Sequence, residues 1–407
     1  MNELTPSGSR RGKRHLPFER VVLVLQGGGA LGSYQAGAFA ALDEADIPLD
    51  WLCGVSIGGI NAALVAGNPP EKRVARLKEF WSTVAMPPVP IPPPVPMPPF
   101  LEPLGEGIEE RKWANELSAH NTILYGAPGF FVPRLNAPIF STAGSPEGVS
   151  YYDTSPLKAT LEQLVDVDLI NSKPKRLTLG ASNVQTGEPV YFDNLATKIT
   201  AAHIMASGAL PPFLPPVEID GQYYWDGGVV SNSPMQFVLD SRPVPRSSLV
   251  FQVDLWDPKG ELPLDITAAT LRSLEIHSAS RINVSLEEFR ERQRARRALA
   301  RLLEHAPESV RRDPDVQLLE RSAQATSVTL VRLRYRTKNY ETGSKICEFS
   351  RPSMEERWQA GYEDTLAALS EPGVLELPNE KEAARLFDCP FDPFLDQLPS
   401  LTNERIS

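Results

Sequence analysis

The sequence predicts an α/β fold, with a mainly parallel central sheet covered by helices on both faces. Three observations carry that expectation. Residues 21–25, "VVLVL", are strong β-formers that run into three glycines, and the Ala-rich segment after them has a helical texture. The same strand, turn, helix order repeats at once in "LDWLCGVSIGGINAALVAG", residues 49–67. Further strand-like runs stand at "RLTLGASNV" (176–184) and "LVFQVDLW" (249–256). Short strands alternating with helices bury both faces of a sheet, which is the setting of parallel pairing.

In chain order, residues 1–19 read as a disordered basic tail. With Arg20 they hold Arg10, Arg11, Lys13 and Arg14 but no apolar run, so they do not read as a secretory signal. The catalytic part is expected over 20–240, beginning with the two strand–helix units and a helix over 71–85. "MPPVPIPPPVPMPPFLEP" (86–103) follows, with proline at nearly every second position. Such a chain forms neither helix nor inner strand and is extended and polyproline-like. A turn is expected at Asp220–Gly221. Residues 241–390 read as an α+β extension packed on the catalytic part, and 391–407 as a tail. Within the extension, Ser285 and Glu288 make a capping-box pattern before a basic helix at 286–304, with an apolar stripe of Leu286, Phe289, Leu299, Leu302 and Leu303. "TSVTLVRLRYR" (326–336) reads as a strand, and Ser353 with Glu356 as the cap of a last helix.

Composition removes several function classes. At 407 residues the chain can build one large core and an accessory unit. A formal charge of −10 argues against nucleic acid as the main partner. Cys53, Cys347 and Cys389 are odd in number and far apart, so neither a disulfide framework nor metal-ligand spacing follows, and a reducing cytoplasm suits them. No apolar run approaches the roughly 18 residues that would span a bilayer. The expectation is a cytoplasmic protein, soluble or peripheral at a membrane surface, with no cofactor and no metal.

The chemistry starts at the first glycine turn. Gly27, Gly29 and Gly32 fit G-x-G-x-x-G, where a strand, a turn and a helix start direct backbone N–H groups at an anion. That anion is either a dinucleotide pyrophosphate, with Asp50 near the spacing of a ribose ligand, or an oxyanion formed during a reaction. Residues 54–58, "GVSIG", are G-x-S-x-G between a strand and a small-residue helix, the context of a nucleophile elbow with Ser56 at its tip and Gly54 and Gly58 beside it. A serine needs a base. Of five histidines, His15, His120 and His305 lie in a tail, a loop approach and a charged helix end, which leaves His203 and His277, neither in a motif. A carboxylate is the better candidate: "WDGGVVSN" sets Asp226 before Gly227 and Gly228. Trp51, beside the elbow, reads as core.

"GGGALG", "GVSIG" and "DGG", in that order, together with "HIMASGALPPFLPPVEIDGQYYWDGGVVSNSP" (203–234), resemble the patatin-like phospholipases. The resemblance implies a three-layer α/β/α fold and a Ser–Asp dyad without a catalytic histidine. Ser56 is then the nucleophile and Asp226 the base. Gly27, Gly28 and Gly29 form the oxyanion hole, and Gly32, Gly54, Gly58, Gly227 and Gly228 support the motifs. "GFFVPR", "GEPVYFDN", "FQVDLW" and "FSRPSMEERWQAGYEDT" are similar to a bacterial subgroup that carries a C-terminal extension. One position departs: Leu31 stands where many members have Arg or Lys, so no charge from there helps an oxyanion or a lipid phosphate. The implied function is a serine acyl-ester hydrolase of the phospholipase type. Hydrolysis of another ester (a polyester, a thioester or a small acyl ester) uses the same residues. A non-catalytic interaction protein would not need them intact. The implied partner is a lipid or other acyl ester, with peripheral membrane contact left open. The basic helix is read as an ordinary packed helix, and the proline-rich stretch as a border of the acyl pocket.

Overall fold

The computed structural model describes residues 14–86, 107–135, 145–241, 243, 245–256, 262–263, 266–279, 282–307, 310, 313–316, 326–379 and 384–389. The elements run β1 (Arg20–Leu25), α1 (Gly32–Glu44), β2 (Trp51–Val55), α2 (Ile57–Ala66), α3 (Arg73–Val84), α4 (Ile108–Tyr125), β3 (Val132–Pro133) and β4 (Tyr152–Asp153). They continue with α5 (Ser155–Leu164), α6 (Val167–Asn171), β5 (Arg176–Asn183), β6 (Pro189–Asp193), α7 (Ala201–Ser207), β7 (Val217–Ile219), β8 (Gln222–Asp226) and α8 (Met235–Leu239). The chain then forms β9 (Ser247–Asp254), α9 (Ile266–Ala279), α10 (Ile282–Glu304), β10 (Ser327–Arg334), α11 (Arg351–Ser370) and β11 (Ala384–Cys389).

A nine-stranded sheet organises them, in the order β11-β10-β9-β1-β2-β5-β8-β7, with β6 paired to β5. From β11 to β5 the pairings are parallel, and β6, β7 and β8 join antiparallel. The apolar run of β1 is continuous because both its faces are covered. Val21, Leu23 and Leu25 enter a core shared with Ile57 and Ile60 of α2, Leu77 and Phe80 of α3 and Met354 of α11. Val22 and Val24 point the other way, to Trp51, Met235 and Val238 of α8 and Phe289 of α10. Helices thus cover both faces, and the three layers are α/β/α. Trp51 is core as expected: 1% exposed, it donates to Thr178 Oγ1 and lies under the Arg176 guanidinium at 3.8 Å.

The described residues from β9 onward, which the sequence assigns to an extension packed on the catalytic part, continue its sheet edge-on. β9 takes the free side of β1, in register from Arg20 opposite Ser248 to Leu25 opposite Val253, and β10 and β11 follow in the same sheet. Position 240 therefore marks no break in the sheet. α11 is equally integral. A Cβ on Gly37 of α1 would fall 1.9 Å from the Trp358 carbonyl oxygen, and one on Gly361 of α11 would fall 1.9 Å from that of Tyr34. The two helices touch backbone to backbone, which larger side chains would prevent.

Both capping assignments differ from expectation. The cap of α11 is Ser350, whose hydroxyl accepts from Ser353 N–H, and the helix starts at Arg351. Pro352 explains the earlier start, since proline fits the first turn, where its missing N–H has no helical partner. Ser285 lies inside α10, which begins at Ile282. Of the stripe on that helix, Phe289 is buried but Leu302 is 70% exposed. The proline-rich stretch beyond Met86 lies outside the described residues. Met86 itself donates to the Phe349 carbonyl at 2.7 Å and accepts from Arg351 N–H at 3.1 Å.

Candidate active site

β1 and β2 are parallel neighbours, and the two glycine motifs leave their C-terminal ends side by side. β9 lies on the other side of β1, so the connections diverge there, and the crevice at such a switch point is where open α/β sheets place their sites.

Ser56 sits at the sharp turn from β2 into α2 with φ 57° and ψ −130°, a conformation rare for a residue with a side chain. Several bonds hold it there. Its N–H meets the Ser207 carbonyl at 3.0 Å and the Ser207 hydroxyl at 3.1 Å, and Ser207 in turn donates to the Gly180 carbonyl at 2.7 Å. The Ser56 carbonyl accepts from Gly59 and Ile60 N–H, starting α2. The turn is tight enough that a Cβ on Gly54 would fall 2.3 Å from the Gly58 carbonyl, and one on Gly58 2.4 Å from that of Leu25. This is the physical need for glycine on either side of the serine.

Asp226 ends β8, and its N–H donates to the Ala209 carbonyl. Asp220 and Gly221, both at positive φ, make the turn between β7 and β8 that delivers it, where the sequence expects one. The carboxyl is 2% exposed. Burial raises its pKa to about 6, while the Ser56 side chain and the Gly228 N–H pull it the other way. The Gly228 bond is 2.7 Å. The two residues that the sequence places 170 positions apart thus meet, the serine side chain close enough to act on the carboxyl's pKa.

The histidines are engaged elsewhere. His203 is 5% exposed, accepts the Thr200 N–H on Nδ1 at the start of α7 and meets the Phe192 ring edge-on at 4.6 Å. Burial lowers its pKa, opposed by Asp220, so it sits there as a neutral capping group. His277 is exposed on α9.

The glycine loop lies against the elbow. A Cβ on Gly27 would fall 2.9 Å from the Ser56 Cβ. Gly27 N–H is already used, donating to the Asn232 carbonyl at 3.3 Å. Among the described residues, the N–H groups of Gly28 and Gly29 donate to no partner. Of the three glycines that the sequence assigns to an oxyanion hole, Gly28 and Gly29 thus keep their N–H groups available, and Gly27 does not. Gly29 has φ +57°. Leu31 is fully buried in the core and offers no charge to this site. Asp50 accepts the Val21 N–H at 2.8 Å, at the N-terminal start of β1. That is the opposite end of the strand from the glycine loop, so it has no access to a ribose there. Among the described residues no group of three or more His, Cys, Asp or Glu side chains could hold a metal ion.

Asn232 was not singled out from the sequence. Its Nδ2 donates to the Gly27 carbonyl at 3.1 Å, so with its backbone bond it grips both ends of that glycine. The signal was its place six residues after Asp226, on the loop that the aspartate itself begins.

Comparison with known proteins adds the following. A family model described as "Patatin-like phospholipase" matches residues 23–239, and one described as "Patatin phospholipase" matches residues 276–381. Patatin-like phospholipase domain-containing protein 6 of Mus musculus is 37% identical over 83 residues, which are 18% of this chain and 6% of that protein. Lysophospholipase nte1 of Aspergillus terreus is 53% identical over 53 residues, 13% of this chain and 4% of that protein. The chain thus matches only a small part of the length of these relatives. The crystal structure of VipD from Legionella pneumophila aligns over 89% of this chain and 71% of that one, at 16% identity and a TM-score of 0.35.

Proposed function

The chain belongs to the patatin-like phospholipase family, and from that premise we propose that it is a lipid acyl hydrolase working through a Ser56–Asp226 dyad. The observation that carries the reading is a buried Asp226 carboxyl whose pKa feels the side chain of Ser56, a serine held at an elbow.

Ser56 Oγ attacks the ester carbonyl carbon as its proton passes to Asp226. The carbonyl oxygen becomes an oxyanion, met by the N–H groups of Gly28 and Gly29, each such donor being typically worth about 3 kcal/mol. The C–O bond to the alcohol breaks, Asp226 returns the proton to the leaving oxygen, and the acyl group stays on Ser56. Water, giving its proton to the same carboxylate, then attacks the acyl carbon; the bond from that carbon to Ser56 Oγ breaks, Asp226 returns the proton to Oγ, and the acid leaves. The base form is the carboxylate, so a pKa raised to about 6 keeps Asp226 ionised at neutral pH while making it a stronger base than an exposed aspartate.

A lipid substrate is supported by the family and by the names its relatives carry. Local surface supports it too: Leu210 and Phe213, 38% and 49% exposed, follow Ala209, which accepts the Asp226 N–H, and Tyr151 lies beside Phe213. Apolar side chains so near the base suit an acyl chain or peripheral contact with a lipid surface. No helix among the described residues is long and apolar enough to cross a membrane.

The test is covalent. A fluorophosphonate should add to Ser56, as located by peptide mass spectrometry, and the wild-type protein should hydrolyse a short p-nitrophenyl ester. Ser56→Ala should do neither with an unchanged circular dichroism spectrum. Wild-type turnover in Ser56→Ala would remove Ser56 as nucleophile, and a lipid-class screen then separates phospholipid from other esters.

A further inference from the structure

The oxyanion loop has a second wall, and it comes from beyond position 240. A Cβ on Gly28 would fall 2.7 Å from Leu255 Cδ1, and one on Gly29 2.5 Å from the Ile346 carbonyl oxygen. Trp256, 6% exposed, donates its indole Nε1–H to the Gly27 carbonyl at 2.7 Å. Leu255 and Trp256 follow β9 directly, and the Leu255 N–H donates to Gln26 Oε1 at 2.7 Å, which fixes their height beside the loop. Behind Trp256 stands Lys345. It is 4% exposed, its Nζ lies 6.0 Å from the indole centroid, and it is paired with Glu275 at 2.7 Å and Thr337 at 2.8 Å.

The direction of the Gly28 N–H follows from the peptide plane. A trans peptide sets its C=O and N–H on opposite sides of the C–N bond, so fixing one fixes the other. Two donors, Trp256 Nε1 and Asn232 Nδ2, hold the Gly27 oxygen on one side. The Gly28 N–H is thereby turned to the other. Rotation of this one peptide would withdraw a donor from the developing oxyanion without disturbing Ser56 or Asp226.

We propose that Trp256 is a positioning residue for the oxyanion hole, holding the Gly27–Gly28 peptide so that the Gly28 N–H is pre-aimed at the oxyanion. This rests on the hydrolase reading given above. A preset donor acts on the transition state rather than on bound ester, so its loosening lowers kcat and leaves KM.

The experiment compares wild type, Trp256→Phe, Asn232→Ala and the double variant on a p-nitrophenyl ester. A trifluoromethyl ketone, which forms an oxyanion adduct with the serine, reports transition-state affinity. Trp256→Phe should lower kcat about tenfold, and the double variant should approach the roughly 10²–10³-fold cost of losing an oxyanion donor. KM and the pH at half-maximal kcat/KM should stay at wild-type values, and ketone affinity should weaken by the same factor as kcat/KM. Benzothienyl-alanine at 256, which keeps the bicycle and lacks the N–H, should reproduce the loss, and it serves as the variant where phenylalanine leaves a gap. Unchanged kcat in the benzothienyl variant, or equal losses in KM and kcat, would overturn the positioning role while leaving the hydrolase reading intact. A wild-type protein that neither turns over ester nor binds the ketone would overturn the hydrolase reading itself.

Discussion

The two walls of the glycine loop are built in different ways. The near wall, Ser56 with Asp226 and Asn232, comes from two short motifs whose glycines are demanded by local turns. The far wall, Leu255, Trp256 and Ile346, is made of residues with no motif, held by buried charge. Arg357, 2% exposed, donates to Glu341 at 2.9 Å and to the Glu348 carbonyl at 2.9 Å, while Lys345 takes Glu275. In the proposed reaction the near wall carries the chemistry, and the far wall holds the glycine loop in one conformation. A catalytic loop rich in glycine needs both, since the freedom that lets it turn would also let it drift.

Each wall can be broken separately. Apart from loss of the dyad itself, the largest effect is expected where they meet. Gly29→Ala would force a side chain at φ +57° against the Ile346 carbonyl at 2.5 Å, and should lower kcat at least about 10²–10³-fold, measured on a short ester. Near-wild-type kcat would mean the far wall yields freely and constrains nothing. Next, Arg357→Met should cost about 3–5 kcal/mol of stability in urea unfolding at pH 7, because Glu341 and Glu348 would stay buried without their cation. A loss below about 1 kcal/mol would show that buried charge does not hold the far wall. Smallest is His203→Ala. It removes the acceptor at the start of α7 and should cost about 0.5–2 kcal/mol while kcat stays within a few-fold of wild type. A folded His203→Ala protein as inactive as an Asp226 variant would replace the dyad with a triad.

The same division explains what could be read before any coordinates. Ser56 and Asp226 were legible because an elbow and an Asp-Gly-Gly turn need particular residues at fixed spacing. The parallel core was legible in β1 and β2, whose doubly buried strands leave continuous apolar runs. Trp256 was not, since its bond to Gly27 spans 229 residues and nothing in "FQVDLW" distinguishes a tryptophan that donates from one that only packs. β10 was legible as a strand but not as a member of the same sheet, because strand order is set by crossovers and not by composition. β11, "ARLFDC", and the antiparallel β6 are short, and β11 carries charge at Arg385 and Asp388, so neither shows a clear period. The start of α11 was missed by three residues because Ser350 and Ser353 both fit a cap, and Pro352 decides between them.

The most direct test of the dyad is the turnover of Asp226→Asn on protein shown by melting to be folded. Asparagine keeps the shape of the carboxylate and can still accept the Gly228 N–H, so the elbow should survive. Stability should not fall. The aspartate binds its proton more tightly folded, at about 6, than its ordinary 3.8, so its contribution is full below about 3.8 and is lost as pH rises through 6. At pH 8 that burden is on the order of 3 kcal/mol, and the neutral amide does not carry it. A folded Asp226→Asn protein whose kcat at pH 8 is about 10³–10⁴-fold below wild type is the expected result. Folded protein that retains a tenth or more of wild-type turnover would contradict Asp226 as the base.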